Sequence, residues 1–138
     1  MSTRSEKILQ QRPQIPTSKI HDNMSRDEYF QNATLRPILK LQNELFISAF
    51  KNYTKKHKSV FHELSLPKKL EYIENSIQRD QKFRNQLKGM IIGQFTLEEF
   101  ESYRENSSSL NKRMMNLLIE RLKDQIQLID TSAQVLSA

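Results

Sequence analysis

The sequence predicts an all-α fold, organised as a small bundle of four to five helices with a long C-terminal helix and a loosely ordered N-terminal arm. Only two of the 138 residues are glycine, so the positive-φ turns on which hairpins and phosphate loops depend are scarce. Apolar residues recur at helical spacing over long segments, which is typical of helices with one buried face. No segment shows the sustained apolar–polar alternation of a half-buried strand. These observations favour helices throughout the folded part of the chain.

Residues 1–24 are predicted to form a flexible arm that docks at most partly on the rest of the protein. Pro13 and Pro16 interrupt any helix there, and the apolar side chains are too sparse to cover a core. At most a short turn of helix is expected over residues 5–11. A single helical domain is expected to follow over residues 25–130.

The first part of that domain carries two helix-start signals. Ser25 is predicted to cap a helix whose first turn holds two carboxylates, which the helix dipole favours. A new helix is expected to begin at Thr34 with Pro37 in its first turn, because proline lacks an N–H that the first turn leaves unpaired anyway. That helix is expected to run to about Lys56, with an apolar stripe and a mostly basic opposite face. Gln42 falls within the stripe and is expected to be hydrogen-bonded in the core.

The second half of the domain carries three further capping signals. Ser65 is expected to cap a helix that ends near Arg79. Asp80 is expected to start a short helix that ends near the two glycines. Thr96 and Glu99 have the spacing of a capping box, in which each side chain accepts a hydrogen bond from the other residue's backbone N–H.

The last helix is expected to be long, because apolar residues keep helical spacing from residue 97 to residue 129. Residues 106–109 (NSSS) are either a break with a new N-cap or a weak spot within one helix. Since neither proline nor glycine enforces a break, we expect one long, bent helix. Residues 114–119 are apolar over a wide arc, which implies burial on two sides, by other helices or by a second subunit. Residues 131–138 are expected to be a frayed tail.

The net charge of +6 is concentrated in the middle of the chain. Residues 36–69 carry eight Lys or Arg against two Asp or Glu, whereas the segments before and after have net charges of +1 and −1. Clustered positive charge attracts polyanions, so we predict that the backbone of an RNA or a nucleoprotein binds this region without sequence readout. Tyr53 would either add a stacking surface or pack in the core. The candidate contacts are Lys40, Lys51, Lys55, Lys56, Lys58, Lys68 and Lys69.

Two interpretations from other classes stay open. In one, the lysines only keep the protein soluble, and the chain is a protein-interaction or structural module that forms a homodimer through residues 97–129. In the other, considered below, it is a metal-dependent lyase. The chain lacks cysteine, an apolar run near the roughly 18 residues of a membrane-spanning helix, and an N-terminal hydrophobic segment, so we expect a cytoplasmic protein with no membrane partner.

The sequence predicts no catalytic residue, metal ligand or cofactor. His57 and His62 are five residues apart, whereas a metal-binding pair on one helix face is four apart. The serines at 107–109 have neither a neighbouring base nor the glycine pattern of a nucleophile elbow. Arg121, beside the apolar stripe of the last helix, is expected to extend to solvent or to pair with a carboxylate.

The two glycines, four residues apart, admit two interpretations. In the first, Gly89 and Gly93 mark a helix end or a close helix crossing, and the apolar residues around them insert into the core. In the second, the backbone there lines a pocket for an anion at the start of the helix near Thr96.

Three segments resemble a family of small bacterial proteins that often carry the label "glyoxalase". They are residues 35–43 (LRPILKLQN), 87–96 (LKGMIIGQFT) and 111–128, which begins NKRMM and ends DQIQL. The resemblance spans most of the chain and implies an all-helical protein, but no established activity. True glyoxalases have a βαβββ fold with a divalent metal on His, Gln and Glu ligands, and this sequence offers neither. We therefore interpret the label as a misassignment and carry no catalytic residue over from it.

Overall fold

A computed structural model describes residues 3–14 and 20–130. Within these ranges the regular secondary structure is entirely helical, so the predicted all-α class is confirmed. The predicted count of four to five helices is wrong, because the described residues form eight α-helices up to Asp124, and residues 126–130 are helical as well. The eight are α1 (Thr3–Gln11), α2 (Arg26–Phe30), α3 (Arg36–Leu41), α4 (Asn43–Lys56), α5 (Leu66–Arg79), α6 (Gln81–Ile92), α7 (Leu97–Arg104) and α8 (Ser107–Asp124).

Helices α2 and α3 are joined by a π-helical turn over Gln31–Leu35, so the prediction that a new helix begins at Thr34 is wrong. The backbone stays right-handed through the turn, where the Arg36 N–H bonds the Gln31 carbonyl. An α-helical proline clashes with the carbonyl four residues before it, and a π turn widens the helix just ahead of Pro37. The chain therefore accommodates this proline without ending the helix.

Helix α4 follows α3 after a bend at Gln42. The bend residue has φ −92° and ψ 8°, outside the helical range. The Gln42 N–H nevertheless bonds the Ile38 carbonyl at 2.9 Å, and the Phe46 N–H bonds the Gln42 carbonyl at 3.0 Å. Residues 26–56 thus form one nearly continuous rod, called the long rod below.

Most of the predicted caps are confirmed. The Ser25 side chain accepts a hydrogen bond from the Glu28 N–H, and Asp80 accepts one from the Phe83 N–H. Thr96 and Glu99 form the predicted capping box, with both of its hydrogen bonds present.

The long C-terminal helix predicted from residue 97 is wrong, because α7 ends at Arg104 and α8 begins at Ser107. The break lies at a contact with α2. Asn106 Nδ2 donates to both carboxylate oxygens of Asp27, at 2.8 and 2.9 Å, and Ser109 Oγ donates to one of them at 2.6 Å. Asn106 itself has φ −145°, which no helix interior adopts.

A second interruption at Gln125 ends α8, and residues 126–130 are helical again. The predicted frayed tail, residues 131–138, lies outside the described residues, as does Pro16. The division of the chain into an arm, a domain and a tail stays a prediction.

The core surrounds α8, whose apolar positions are buried on more than one side by the chain itself. Contacts with α5, α6 and α7 supply this burial, which explains the wide apolar arc without a second subunit. Among the helices of the described ranges, none is both long enough and apolar enough to cross a membrane. The buried apolar residues of α8 are Leu110, Met114, Met115, Leu117, Leu118, Ile119 and Leu122.

Helix α1 is longer than the turn predicted from the sequence, and arginines attach this segment to the loop before α7. Arg4 donates to the carbonyls of Phe95 and Gly93 at 2.7 and 2.9 Å. Arg12, just after α1, donates through both terminal nitrogens to the Glu99 carboxylate at 2.5 Å. The Arg12 and Glu99 side chains are only 6% and 17% exposed, so this ion pair is largely removed from water.

Burial raises the pKa of Glu99, but hydrogen bonds outweigh that effect and leave the pKa below its ordinary value. The donors are Arg12, the Thr96 N–H and the Thr34 hydroxyl, the last at 3.0 Å from Glu99 Oε2. One carboxylate therefore joins α1, α7 and the π turn of the long rod.

Candidate nucleic-acid interface

The C-terminal end of α4 presents exposed positive charge. Lys55 and Lys56 occupy the last turn of α4, Lys58 follows it, and all three side chains are exposed. None of the three lies within ion-pair distance of a carboxylate in the described parts of the chain. Here this set is called the basic end of α4.

The basic end of α4 is built on a left-handed turn that contains no glycine. The Lys58 N–H bonds the Lys55 carbonyl at 3.2 Å, and the Ser59 N–H bonds the Thr54 carbonyl at 2.9 Å. This is the Schellman pattern of a helix end, which usually places glycine in the left-handed position. Here Lys58 and Ser59 take that conformation, with φ of 62° and 56°. The turn fixes where the chain leaves α4 and places Lys58 outside the helix.

Two more of the predicted lysines lie nearer the start of the long rod. Lys51 is one turn before Lys55 and partly buried, so it lies on the same helix face as Lys55. Lys40 is exposed in the last turn of α3, before the bend at Gln42, and the exposed Glu44 lies between it and Lys51 in the chain. Positive charge therefore extends one turn along α4 from its basic end.

The remaining predicted pair, Lys68 and Lys69, lies in the first turn of α5. Lys68 is exposed. Lys69 Nζ instead donates to both oxygens of Asp130 at 3.1 Å, lies 5.6 Å from the centre of the Phe61 ring, and leaves its side chain only 14% exposed. Lys69 is thus neutralised within the chain, whereas Lys68 faces solvent.

Next to the basic end of α4 is an open cleft of about 790 Å³, between α4 and the α5–α6 corner. It is called the aromatic cleft below. Its lining includes three rings and several polar or charged side chains: Tyr53, His57, Tyr72, Asn75, Arg79 and Lys82.

Two of these rings, Tyr53 and His57, continue a row that begins in the core at Phe83. The buried Phe83 ring lies 4.2 Å from the Tyr53 ring, centre to centre, with 24° between their planes. The Tyr53 ring in turn lies 4.2 Å from the ring of His57, which is exposed. Tyr72 stands across this row, 6.2 Å from Tyr53 and inclined at 72°. Tyr53 is therefore packed among other rings, as one of the two sequence interpretations expected, and His57 is the ring at the solvent end.

A hydrogen bond fixes the middle of this row. Tyr53 Oη donates to Asp80 Oδ2 at 3.0 Å, and Asp80 also caps α6. Burial raises the pKa of Tyr53, and the neighbouring Asp80 carboxylate raises it further. The pKa of Asp80 lies below its ordinary value, chiefly because the Phe83 N–H and then the Tyr53 hydroxyl bond its carboxylate. The phenol thus stays protonated and the carboxylate ionised over the neutral pH range.

Sequence reasoning missed the cleft, although part of its signal is local. Tyr53 and His57 are four residues apart and so share a helix face, which was a detectable pattern. Arg79 and Lys82 come from the far side of the α5–α6 corner, and neither has an ion-pair partner among the described carboxylates. Only the packing of α5 and α6 against α4 brings these two cations to the rings.

The histidines are not arranged as a metal site. His62 Nδ1 lies 3.9 Å from Asp130 Oδ1, while His57 belongs to the ring row. In residues 3–14 and 20–130, no group of three or more potential ligands is placed to hold a metal ion.

Arg121 lies in a second, smaller cavity of about 260 Å³. Its guanidinium donates to Asn43 Oδ1 at 3.3 Å and has no carboxylate partner within the described chain, so the ion pair, one of the two alternatives expected for Arg121, is not formed. Asn43 and Gln125 bond each other through both amide groups, at 2.6 and 2.7 Å. Burial, followed by the charge of Arg36, lowers the pKa of Arg121.

The two glycines mark the end of α6, as the first interpretation of them states, and neither has a positive φ. The Gly93 carbonyl accepts a hydrogen bond from the Arg4 guanidinium. A cation of the chain itself therefore lies beside the loop before α7. A Cβ added at Gly89 would meet nothing within 4 Å, whereas one at Gly93 would lie 3.1 Å from the Gly89 carbonyl oxygen.

Comparisons with known protein families, with curated proteins and with solved structures give no significant match. The resemblance to the small bacterial family therefore stays a prediction.

Proposed function

We propose that this protein is a non-enzymatic binding protein that contacts the backbone of RNA, free or in a nucleoprotein, through its lysines. The observation that carries the proposal is the basic end of α4, where three exposed lysines have no ion-pair partner among the described residues. Their charge is available to displace counterions from phosphates, which supplies affinity without sequence readout.

The surroundings of these lysines extend the same surface. Lys51 continues it by one turn along α4, and Lys40 is a further exposed cation in the last turn of α3. Arg79 and Lys82 add cations across the aromatic cleft. Lys69 contributes least, because Asp130 neutralises it. Several cations without ion-pair partners, held on helices, can attract and contact successive charges of a flexible polyanion.

The first test is retention of a single-stranded RNA at increasing KCl concentration. With three or more phosphate contacts, the logarithm of the binding constant should fall with the logarithm of salt concentration with a slope of about −2 or steeper. The double variant Lys55→Glu/Lys56→Glu should lose most of the affinity, because it replaces attraction by repulsion at the basic end.

The matched control is Lys7→Glu/Lys112→Glu, which makes the same change in net charge at two exposed lysines on α1 and α8. It should retain most of the affinity. Equal losses in both variants would indicate a response to overall charge only, and undiminished binding by Lys55→Glu/Lys56→Glu would refute the proposed interface.

A second candidate function, self-association, is favoured by one observation on α7. Leu97 and Phe100 are 59% and 41% exposed and lie three residues apart on one helix face. The predicted dimer surface of residues 97–129 would thus be centred on α7, since the apolar side of α8 is already covered. Light scattering tests this: a doubled mass that Phe100→Glu reduces to the monomer would establish the dimer, and a monomeric mass for the unaltered protein would exclude it.

A further inference from the structure

The aromatic cleft offers a flat surface at its open end. His57 packs one side of its ring near Tyr53 at 4.2 Å and is otherwise exposed, so its ring is the last member of a row that begins in the core. Because Phe83 is buried and Tyr53 is held by Asp80, the row presents His57 on a firm support. A planar aromatic ligand that stacked on this ring would extend the row by one member.

The cleft also has the charge that an anionic ligand needs. Lys56 and Lys58 flank His57 in the sequence, and Arg79 and Lys82 line the opposite wall. The one carboxylate in the lining, Asp80, is already bonded by the Tyr53 hydroxyl and the Phe83 N–H. A ligand that carries phosphates on either side of a planar ring would match this arrangement.

Polar groups at the rim complete the match. Asn75 and Gln81 line the cleft with side-chain amides, each of which both donates and accepts hydrogen bonds. The edge of a nucleobase presents donors and acceptors of the same kind, and an apolar aromatic ligand would leave these amides unused. The cleft is open on its outer side, which leaves room for a base to reach His57.

We propose that the aromatic cleft receives an unpaired base of a single-stranded RNA, which stacks on His57 while its flanking phosphates contact the surrounding cations. This inference rests on the proposed RNA-binding function and specifies its substrate class. A base inside a duplex has both faces covered by its neighbours and cannot reach the ring, so the cleft makes the protein prefer single strands.

The test compares three proteins, the unaltered chain, His57→Ala and His57→Phe, by fluorescence anisotropy with a labelled RNA of roughly ten nucleotides. The RNA is used as a single strand and as a duplex of the same sequence. We expect the single strand to bind more tightly, His57→Ala to weaken its Kd about tenfold, and His57→Phe to restore most of that loss. Duplex binding should change little in either variant.

A second measurement reports on the cleft directly. The chain has no tryptophan and four tyrosines, so its intrinsic emission comes from tyrosine. A base stacked on His57, in the cleft that Tyr53 and Tyr72 also line, should quench this emission, and His57→Ala should reduce the quenching. His57 is exposed, and circular dichroism of each variant verifies that the fold is retained.

Failure of this inference differs from failure of the proposed function. Equal Kd values for single strand and duplex, or an unchanged single-strand Kd in His57→Ala, would overturn the stacking site while leaving the lysine interface in place. Insensitivity to Lys55→Glu/Lys56→Glu would instead remove the interface itself. Binding of polyglutamate with the same dependence on His57 would assign the cleft to acidic protein segments and would also overturn the inference.

Discussion

Replacing Lys58 by glycine should stabilise the protein, because Lys58 has a left-handed backbone that glycine adopts without cost. The residue has φ 62° and occupies the position after α4 that helix ends usually give to glycine. Its side chain is exposed, so no packing is lost in the substitution.

The magnitude follows from two opposing effects. The left-handed conformation costs an L-residue about 1–2 kcal/mol, which the substitution recovers. Glycine loses about 0.5–1 kcal/mol through the greater freedom of the unfolded chain. The free energy of unfolding should therefore rise by about 0.5–1 kcal/mol, equivalent to about 2–4 °C in Tm for a chain of this size.

The assay is urea unfolding followed by circular dichroism, with Lys58→Ala as the matched control. Both variants remove the same charge and its interaction with the helix dipole, but only glycine relieves the backbone. Lys58→Gly should exceed Lys58→Ala in unfolding free energy by about 0.5–1 kcal/mol, because alanine keeps the left-handed cost that glycine avoids. Equal stability of the two variants would refute the left-handed assignment of this turn.

Four further predictions concern other elements. Gly89→Ala should raise the unfolding free energy by about 0.5–1 kcal/mol, because a Cβ there meets nothing within 4 Å in α6; a decrease in urea unfolding would contradict this. The folded-state pKa of Glu99 lies below the ordinary 4.5, so its ionised carboxylate should stabilise the fold above that pH. This stabilisation should be lost as the pH falls through the folded-state pKa. The unfolding free energies of the unaltered protein and of Glu99→Gln, measured in acid titrations, should therefore converge at low pH. Arg12→Met should free α1, detected as faster amide hydrogen exchange there, and unchanged exchange would mean that other contacts hold it. Asp27→Ala should lower stability by about 1 kcal/mol by releasing Asn106, whereas an unchanged midpoint would show that this carboxylate does not enforce the helix break.

The elements that the sequence predicted correctly are those whose causes are local. The Asp80 cap and the Thr96–Glu99 box each depend on groups within three residues, so their pattern is visible in any short segment. Helix ends that depend on distant partners were not predictable. Asn106 bonds Asp27 across 79 residues of sequence, and this contact lies where the helix that periodicity alone would continue is interrupted.

The scarcity of glycine predicted the helical fold class, but it did not predict which residues adopt the left-handed backbone conformation. Both glycines lie at helical φ, while the left-handed turn falls on Lys58 and Ser59. Residue preferences are averages, and tertiary contacts override them where a chain must change direction.

The positive charge of the candidate site was predictable from the sequence, but the shape of the aromatic cleft was not. The lysine cluster is a property of composition along one segment, and the structure leaves most of these lysines exposed. The cleft depends on how α5 and α6 lie against α4, which juxtaposes Arg79 with His57. No pattern in a single helix contains that information.

The π turn at Gln31–Leu35 determines how far α2 is rotated, about the axis of the long rod, relative to the helices that follow it. A π turn holds one residue more than an α turn, and one residue corresponds to about 100° of rotation. On the upstream side this phase lets Phe30 meet Phe95 edge-on, with ring centres 5.5 Å apart. Shortening the turn by one residue would rotate Phe30 away from that contact while leaving the downstream lysines in register, so chain length at this point affects the packing of α2 without moving the lysines of α4.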